Sequence, residues 1–151
     1  IQKELTEWSR LGIKQANGKE LPNQKILGSV IVPAGHNGPA FLVYKNFRKI
    51  LKWNRSIFYA LAVGHLADRI NGGKPIFTRP STKENPLSRY DVKFMQETLN
   101  AIGFKLGGAD GIIGSKTKKA IRAFQAKFKM PQDGYPSLKL LKRLKALSAR
   151  K

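Results

Sequence analysis

The sequence predicts an α+β protein, mainly helical, with one small antiparallel sheet segment near its start and a three-helix bundle near its end. Three observations predict this. Two apolar runs of strand length, Leu27 to Val32 and Ala40 to Tyr44, flank the turn-rich Pro33-Ala34-Gly35-His36-Asn37-Gly38-Pro39, which is the pattern of a hairpin. Helical spacing dominates from Asn46 to Ile70 and again after Leu87. Between these lies "NGGKPIFTRPSTKENP", residues 71–86, whose glycines and prolines mark a linker.

In chain order, Leu5, Trp8, Leu11 and Ile13 predict a terminal helix or turn that ends at Gly12 or at Asn17-Gly18. After the hairpin, Asn46 is expected to cap a short helix that buries Phe47, Ile50 and Leu51. Ser56 is a good N-cap for the next helix, Ile57 to Ile70. The first half of that helix, "IFYALAVG", is apolar all round, the mark of a helix enclosed on every side. It turns polar too soon to span a bilayer, which takes about 20 apolar residues. Two strands and two helices cannot enclose it, so residues 1–70 read as part of a larger fold. The chain opens on Ile1, which fits processing or a piece of a longer protein, and no stretch reads as a signal peptide.

Past the linker, Ser88 and Asp91 form a capping box and Leu87 with Val92 a hydrophobic staple. The stripe Val92, Met95, Leu99, Ile102 defines one helix face, and Gly103 stops the helix. A second helix starts near Ser115, with Thr117, Ile121, Phe124 and Phe128 on one side and Lys116, Lys118, Lys119, Arg122, Lys127 and Lys129 on the other. A third follows Pro136-Ser137 and buries Leu140 or Leu141, Leu144 and Leu147. An internal echo links the halves: Met95-Gln96 precedes Asp110-Gly111, and Phe124-Gln125 precedes Asp133-Gly134. The two Asp-Gly pairs read as tight turns, glycine reaching positive φ while the carboxylate bonds nearby amides.

Charge narrows the partners. With 29 Lys and Arg against 9 Asp and Glu among 151 residues, the net charge is +20. Residues 1–86 hold 14 basic and 5 acidic side chains, and residues 87–151 hold 15 and 4, so the excess is no detachable tail. Such a field favours nucleic acid, an anionic membrane or an acidic wall polymer. The chain has no cysteine, which excludes disulfides and thiolate metal sites. His36 and His65 stand far apart with no patterned carboxylate, so neither a metal nor a cofactor is expected.

Two stretches resemble known families. "GPAFLVYKNFRKILKWNRSIFYALAVGHLADRI", through Asn46-Phe47, Asn54-x-Ser56-x-x-Tyr59-Ala60-x-Ala62-Val63 and Leu66-Ala67, resembles the end of the catalytic region of the membrane-bound B family of lytic murein transglycosylases. "LTEWSRLGI" and "VIVPAG" resemble that family's small sheet subdomain. The resemblance implies a partial lysozyme-like region over residues 1–70. In the family one glutamate protonates the glycosidic oxygen between N-acetylmuramic acid and N-acetylglucosamine, and the muramic C6 hydroxyl closes on C1 to a 1,6-anhydro product. That differs from the paired carboxylates of most glycosidases. The family's acid lies far upstream of the sheet, and none of Glu4, Glu7, Glu20 or Asp68 matches it, so this chain alone is expected to be inactive.

By the same resemblance Asn54 and Tyr59 face the glycan, with Trp53 and Ser56 beside them. The residues alone leave a second reading open, in which Asn54 and Ser56 cap the helix and Tyr59 and Trp53 are core aromatics. Residues 87–147 resemble the type-1 peptidoglycan-binding domain through Met95-Gln96-x-x-Leu99-x-x-x-Gly103-Phe104, Asp110-Gly111-Ile112-Ile113-Gly114-x-x-Thr117-x-x-Ala120-Ile121-x-x-Phe124-Gln125 and Asp133-Gly134. That implies a module attaching enzymes to murein, with ligand held near Asp110, Gly111, Asp133 and Gly134. The expected partners are peptidoglycan glycan strands and an upstream catalytic segment of the same protein, not nucleic acid. The expected location is the periplasm or envelope of a Gram-negative bacterium. A non-catalytic peptidoglycan-binding protein is the alternative.

Overall fold

The computed structural model describes residues 1–76 and 86–149. Most of the expected linker, residues 77–85, lies outside them. Two compact units are present, Ile1–Pro33 with Gly38–Arg79, and Ala34–Asn37 with Pro80–Lys151. Six helices and one three-stranded antiparallel sheet make up the described residues.

In the first unit, β1 (Lys3–Glu4) leads directly into α1 (Leu5–Arg10), followed by β2 (Leu27–Ile31), β3 (Phe41–Val43), α2 (Lys45–Trp53) and α3 (Ile57–Ile70). The sheet order is β1-β2-β3. The predicted hairpin is present in the register Ser29↔Val43, Val30↔Leu42, Ile31↔Phe41. β1 pairs Lys3 with Gly28 and Glu4 with Leu27, a strand too short to show alternation in the sequence. A Cβ on Gly28 would sit 2.9 Å from Leu42 Cδ1, so a side chain there would displace the end of the Leu42 side chain. The Trp8 indole N–H donates to the Gly28 carbonyl at 3.1 Å and ties α1 to the sheet.

Behind the sheet, Val43, Phe47 and Ala60 form a small core, with Ile31, Phe41, Ile50, Leu51, Ile57 and Leu61 around it. Asn46 is not the cap expected of it. α2 starts two residues earlier, with Tyr44 at the N-cap position, and the Asn46 carboxamide accepts from the Phe47 N–H inside the first turn. Nor is α3 enclosed on every side within this chain: Ala60 is its one buried residue, while Phe58, Val63, Leu66 and Ile70 are exposed. The reason is coverage, since one short helix and a narrow sheet reach only one of its faces.

The second unit holds α4 (Arg89–Ala101), α5 (Ser115–Lys127) and α6 (Leu138–Ser148). Their stripes meet in one core of Met95, Leu99, Leu106, Ala120, Ile121, Phe124, Leu140, Leu141 and Leu144. Both Leu140 and Leu141 are buried, so the sequence alternative resolves as both. The Ser88–Asp91 capping box is complete, and the Ser88 hydroxyl, foremost, holds the Asp91 carboxyl below the usual carboxylate range. Ser137 caps α6 by accepting from the Leu140 N–H at 3.2 Å.

Four helices end in the same way, with paired backbone bonds closing a Schellman motif around a left-handed residue. In α1, α3 and α4 that residue is Gly12, Gly72 and Gly103. In α5 it is Lys129, at φ 52, whose N–H donates to the Ala126 carbonyl while Met130 N–H donates to Gln125. Removing the Cβ relieves a left-handed strain, so Lys129→Gly should stabilise the second unit by about 1 kcal/mol. Urea unfolding followed by far-UV circular dichroism checks this; an unchanged or lower midpoint would mean the lysine side chain contributes what its backbone loses.

Candidate functional site

The first candidate is the corner between α2 and α3. Asn54 closes α2, its N–H donating to the Ile50 carbonyl at 2.9 Å. Its side-chain Oδ1 then accepts from the Ser56 N–H at 2.9 Å, and Ser56 Oγ accepts from the Tyr59 N–H at 3.2 Å. Asn54 and Ser56 therefore do carry out the capping read from the sequence. Two aromatic assignments differ from the core reading: Trp53 is 85% exposed and Tyr59 43% exposed. Among the described residues the Asn54 Nδ2 and the Tyr59 hydroxyl have no hydrogen-bond partner. An indole, an amide donor and a phenol are thus each accessible close to the α2–α3 junction, groups of the kind that stack on a pyranose and bond its substituents.

A separate cavity of about 220 Å³ lies between β3, α2 and α3, lined by Tyr44, Asn46, Phe47, Gly64, His65 and Asp68 among others. None of the four sequence-predicted corner residues lines it. Burial, and then the Asp68 carboxylate, push the Tyr44 phenol up.

The second candidate is the pair of Asp-Gly turns. Gln96 Nε2 donates to Asp110 Oδ1 at 3.0 Å, the Ile112 carbonyl at 3.1 Å and Thr117 Oγ1 at 3.1 Å, and its Oε1 accepts from the Gly111 N–H at 2.8 Å. Asp110 Oδ1 also accepts from the Ile112 N–H at 2.9 Å. The second turn repeats this. Gln125 Nε2 donates to Asp133 Oδ1 at 2.6 Å, its Oε1 accepts from Gly134 N–H at 2.9 Å, and Asp133 Oδ1 accepts from Tyr135 N–H at 2.8 Å. The internal echo is therefore one hydrogen-bonded clamp built twice, and it holds the four turn residues by intramolecular bonds.

The carboxylates respond. The Gln96 amide, foremost, with the Ile112 N–H, holds Asp110 below the usual carboxylate range. Burial raises Asp133, but bonds from Tyr135, His36 and Gln125 outweigh it and leave that carboxyl lowered too. His36, on the short segment grouped with this unit, donates its N–H to Asp133 Oδ2 at 2.9 Å, and its Nδ1 lies 2.7 Å from the same oxygen. His36 thus has a carboxylate partner 97 positions away, a contact that no local sequence pattern could reveal.

Each turn glycine also lies under an arginine. A Cβ on Gly111 would meet Arg89 Cγ at 2.5 Å, and one on Gly134 would meet Arg122 Nε at 3.0 Å. Arg89 Nε donates to the Asp110 carbonyl at 3.1 Å.

Two family models match. Residues 1–68 match the Transglycosylase SLT domain, and residues 88–144 match the Putative peptidoglycan binding domain. Among solved structures, the chain is similar to SltB3 from Pseudomonas aeruginosa in complex with NAG-anhNAM-pentapeptide, at 49% identity and a TM-score of 0.86 over 96% of this chain. It is equally similar to SltB3 in complex with NAG-NAM-pentapeptide, over 95% of this chain. Type VI secretion system spike protein VgrG3 of Vibrio cholerae serotype O1 is 49% identical over 49 residues, 31% of this chain. The chain spans 39% of the SltB3 chain and 5% of VgrG3.

The SLT match covers the corner and the small sheet, and the fold around them is that of the lysozyme-like SltB3 neighbour. The peptidoglycan-binding match covers both clamps and all of α4 and α5. Sequence reasoning found the clamp residues as a repeat and missed the two arginines. They carry no motif and reach their glycines only through the packing of α4 and α5.

Proposed function

We infer that this chain is the peptidoglycan-binding, C-terminal part of a lytic murein transglycosylase of the membrane-bound B family, acting in the periplasm of a Gram-negative bacterium. One observation carries the reading: the likeness to SltB3, seen with muropeptides bound, runs continuously across both units at 49% identity. The second unit, a three-helix bundle, anchors the protein to murein near Asp110, Gly111, Asp133 and Gly134. The α2–α3 corner forms one wall of the glycan cleft, where Asn54 Nδ2 and the Tyr59 hydroxyl bond the sugar and Trp53 stacks on it beside Ser56. The exposed apolar face of α3 packs on the catalytic segment upstream.

The acid that protonates the glycosidic oxygen belongs to that upstream segment. Two of the local carboxylates are paired on the surface, Glu7 with Lys3 and Glu20 with Lys14 at 3.1 Å. With the acid in place, closure of the muramic C6 hydroxyl on C1 yields the 1,6-anhydro product. A non-catalytic peptidoglycan-binding protein is the second reading, favoured by the same engagement of Glu7 and Glu20.

The chain as it stands should co-sediment with purified sacculi and release no 1,6-anhydromuropeptides detectable by mass spectrometry. Release of such products would overturn the assignment of the acid to another segment. Failure to co-sediment would overturn the peptidoglycan reading as a whole.

A further inference from the structure

The exposed side of α5 has an unusual charge arrangement. On a helix turning about 100° per residue, Lys116, Lys119, Arg122, Ala123, Ala126 and Lys127 fall within one arc of about 140°, and all six are exposed. The opposite arc carries the buried Thr117, Ala120, Ile121, Phe124 and Gln125. The cations from Lys116 to Lys127 extend along about 16 Å of helix.

Among the described residues of the unit nothing neutralises this face. Residues 87–151 contain four acids, and each is committed elsewhere. Asp91 lies in the α4 cap and 3.7 Å from Lys145, Glu97 lies 4.0 Å from Lys93, and Asp110 and Asp133 sit in the two clamps. Among the described residues no carboxylate forms an ion pair with Lys116, Lys118, Lys119, Arg122 or Lys127. The positions one turn along, where a glutamate would pair with Lys119 or Arg122, hold Ala123 and Ala126. A face that serves only for solubility interleaves both signs. The first turn of α5 also holds Lys116 and Lys118 and no acid, against the sign its dipole favours. Folding gains nothing from this arrangement, whereas an anionic partner would.

The geometry points to the exposed face of α5 as a surface that binds the carboxylate-bearing peptide stems of peptidoglycan by charge. This rests on the peptidoglycan reading above and adds the stem, in addition to the sugar, as what the second unit recognises. Small alanines between the cations let a peptide strand approach the helix closely, and its free carboxylates supply the missing negative charge.

The test uses the full chain and sacculi at low and high salt. The triple variant Lys116→Gln, Lys119→Gln, Lys127→Gln is compared with Lys45→Gln, Lys49→Gln, Lys52→Gln on α2, which removes equal charge from exposed positions of the other unit. The α5 variant should lose about tenfold or more in affinity at low salt and show a shallower salt dependence, while the α2 variant changes less than about twofold. Sacculi whose stem carboxyls have been amidated should bind the wild-type chain as weakly as the α5 variant binds native sacculi. Equal losses in both variants, no loss in the α5 variant, or undiminished binding to amidated sacculi would each overturn the proposal and leave sacculus binding standing. An α5 variant that loses duplex DNA binding yet keeps sacculus binding would overturn it in favour of nucleic acid. Absence of wild-type binding to any sacculi would instead remove the peptidoglycan reading on which it rests.

Discussion

Replacing Gln96 with alanine is expected to lower the stability of the second unit by about 3–5 kcal/mol. The side chain is 2% exposed and joins four groups at once: the Asp110 carboxylate, the Ile112 carbonyl, the Thr117 hydroxyl and the Gly111 N–H. Of these partners the Thr117 hydroxyl is buried, and leaving such a group without its bond costs about 1–3 kcal/mol, to which the volume vacated by the buried Gln96 side chain adds a cavity cost. Small domains have only about 5–15 kcal/mol of stability in all, and one this size sits near the lower end. At about 4–8 °C per kcal/mol, the melting temperature should fall by well over 10 °C. Gln125→Ala, which loses two such bonds, should cost less. Both tryptophans, Trp8 and Trp53, lie in the first unit, so fluorescence reports on the wrong region. Amide hydrogen exchange across α4, α5 and α6 is the suitable readout. Wild-type protection in Gln96→Ala would show that the clamp is incidental to folding.

The second large effect is expected at Gly111. Alanine there must hold φ near +74° and place a Cβ 2.5 Å from Arg89 Cγ and 2.8 Å from the Arg89 carbonyl oxygen. The side-chain contact can give way, but the backbone one requires the first turn of α4 to move. Left-handed strain of about 1–2 kcal/mol plus overpacking of about 1–3 kcal/mol predicts a loss of about 2–5 kcal/mol. Gly103 is the internal control: its φ is +96°, and a Cβ there would meet nothing within 4 Å. Gly103→Ala should therefore show the strain alone. Equal losses at the two sites, read by denaturant midpoints, would mean that Arg89 yields freely and that glycine is present at 111 only for its backbone angle.

The functional corner follows the same division between local and distant causes. Ser56 and Asn54 are legible as caps because their partners lie within three residues. The exposure of Trp53 and Tyr59 was not legible, because it depends on what else packs against α3. An apolar segment looks the same in sequence whether its neighbours come from within the chain or from elsewhere. The single buried residue of α3, Ala60, shows how little of that packing these residues supply.

By itself the sequence determined the parts whose energetics are local: the hairpin from its apolar runs and turn residues, the capping box at Ser88, the stripe along α4, the stop at Gly103 and the repeated Gln and Asp-Gly pairs. These rest on bonds and periodicities within a few residues, which any chain with those side chains will form. Only the tertiary structure decided that β1 joins the sheet, that Arg89 and Arg122 cover the two turn glycines, that Asp133 receives His36, and that no carboxylate among the described residues pairs with the cations of α5. Those depend on which distant segments meet when the cores close, and the free energy that selects them comes from burial over the whole unit, which no short stretch encodes.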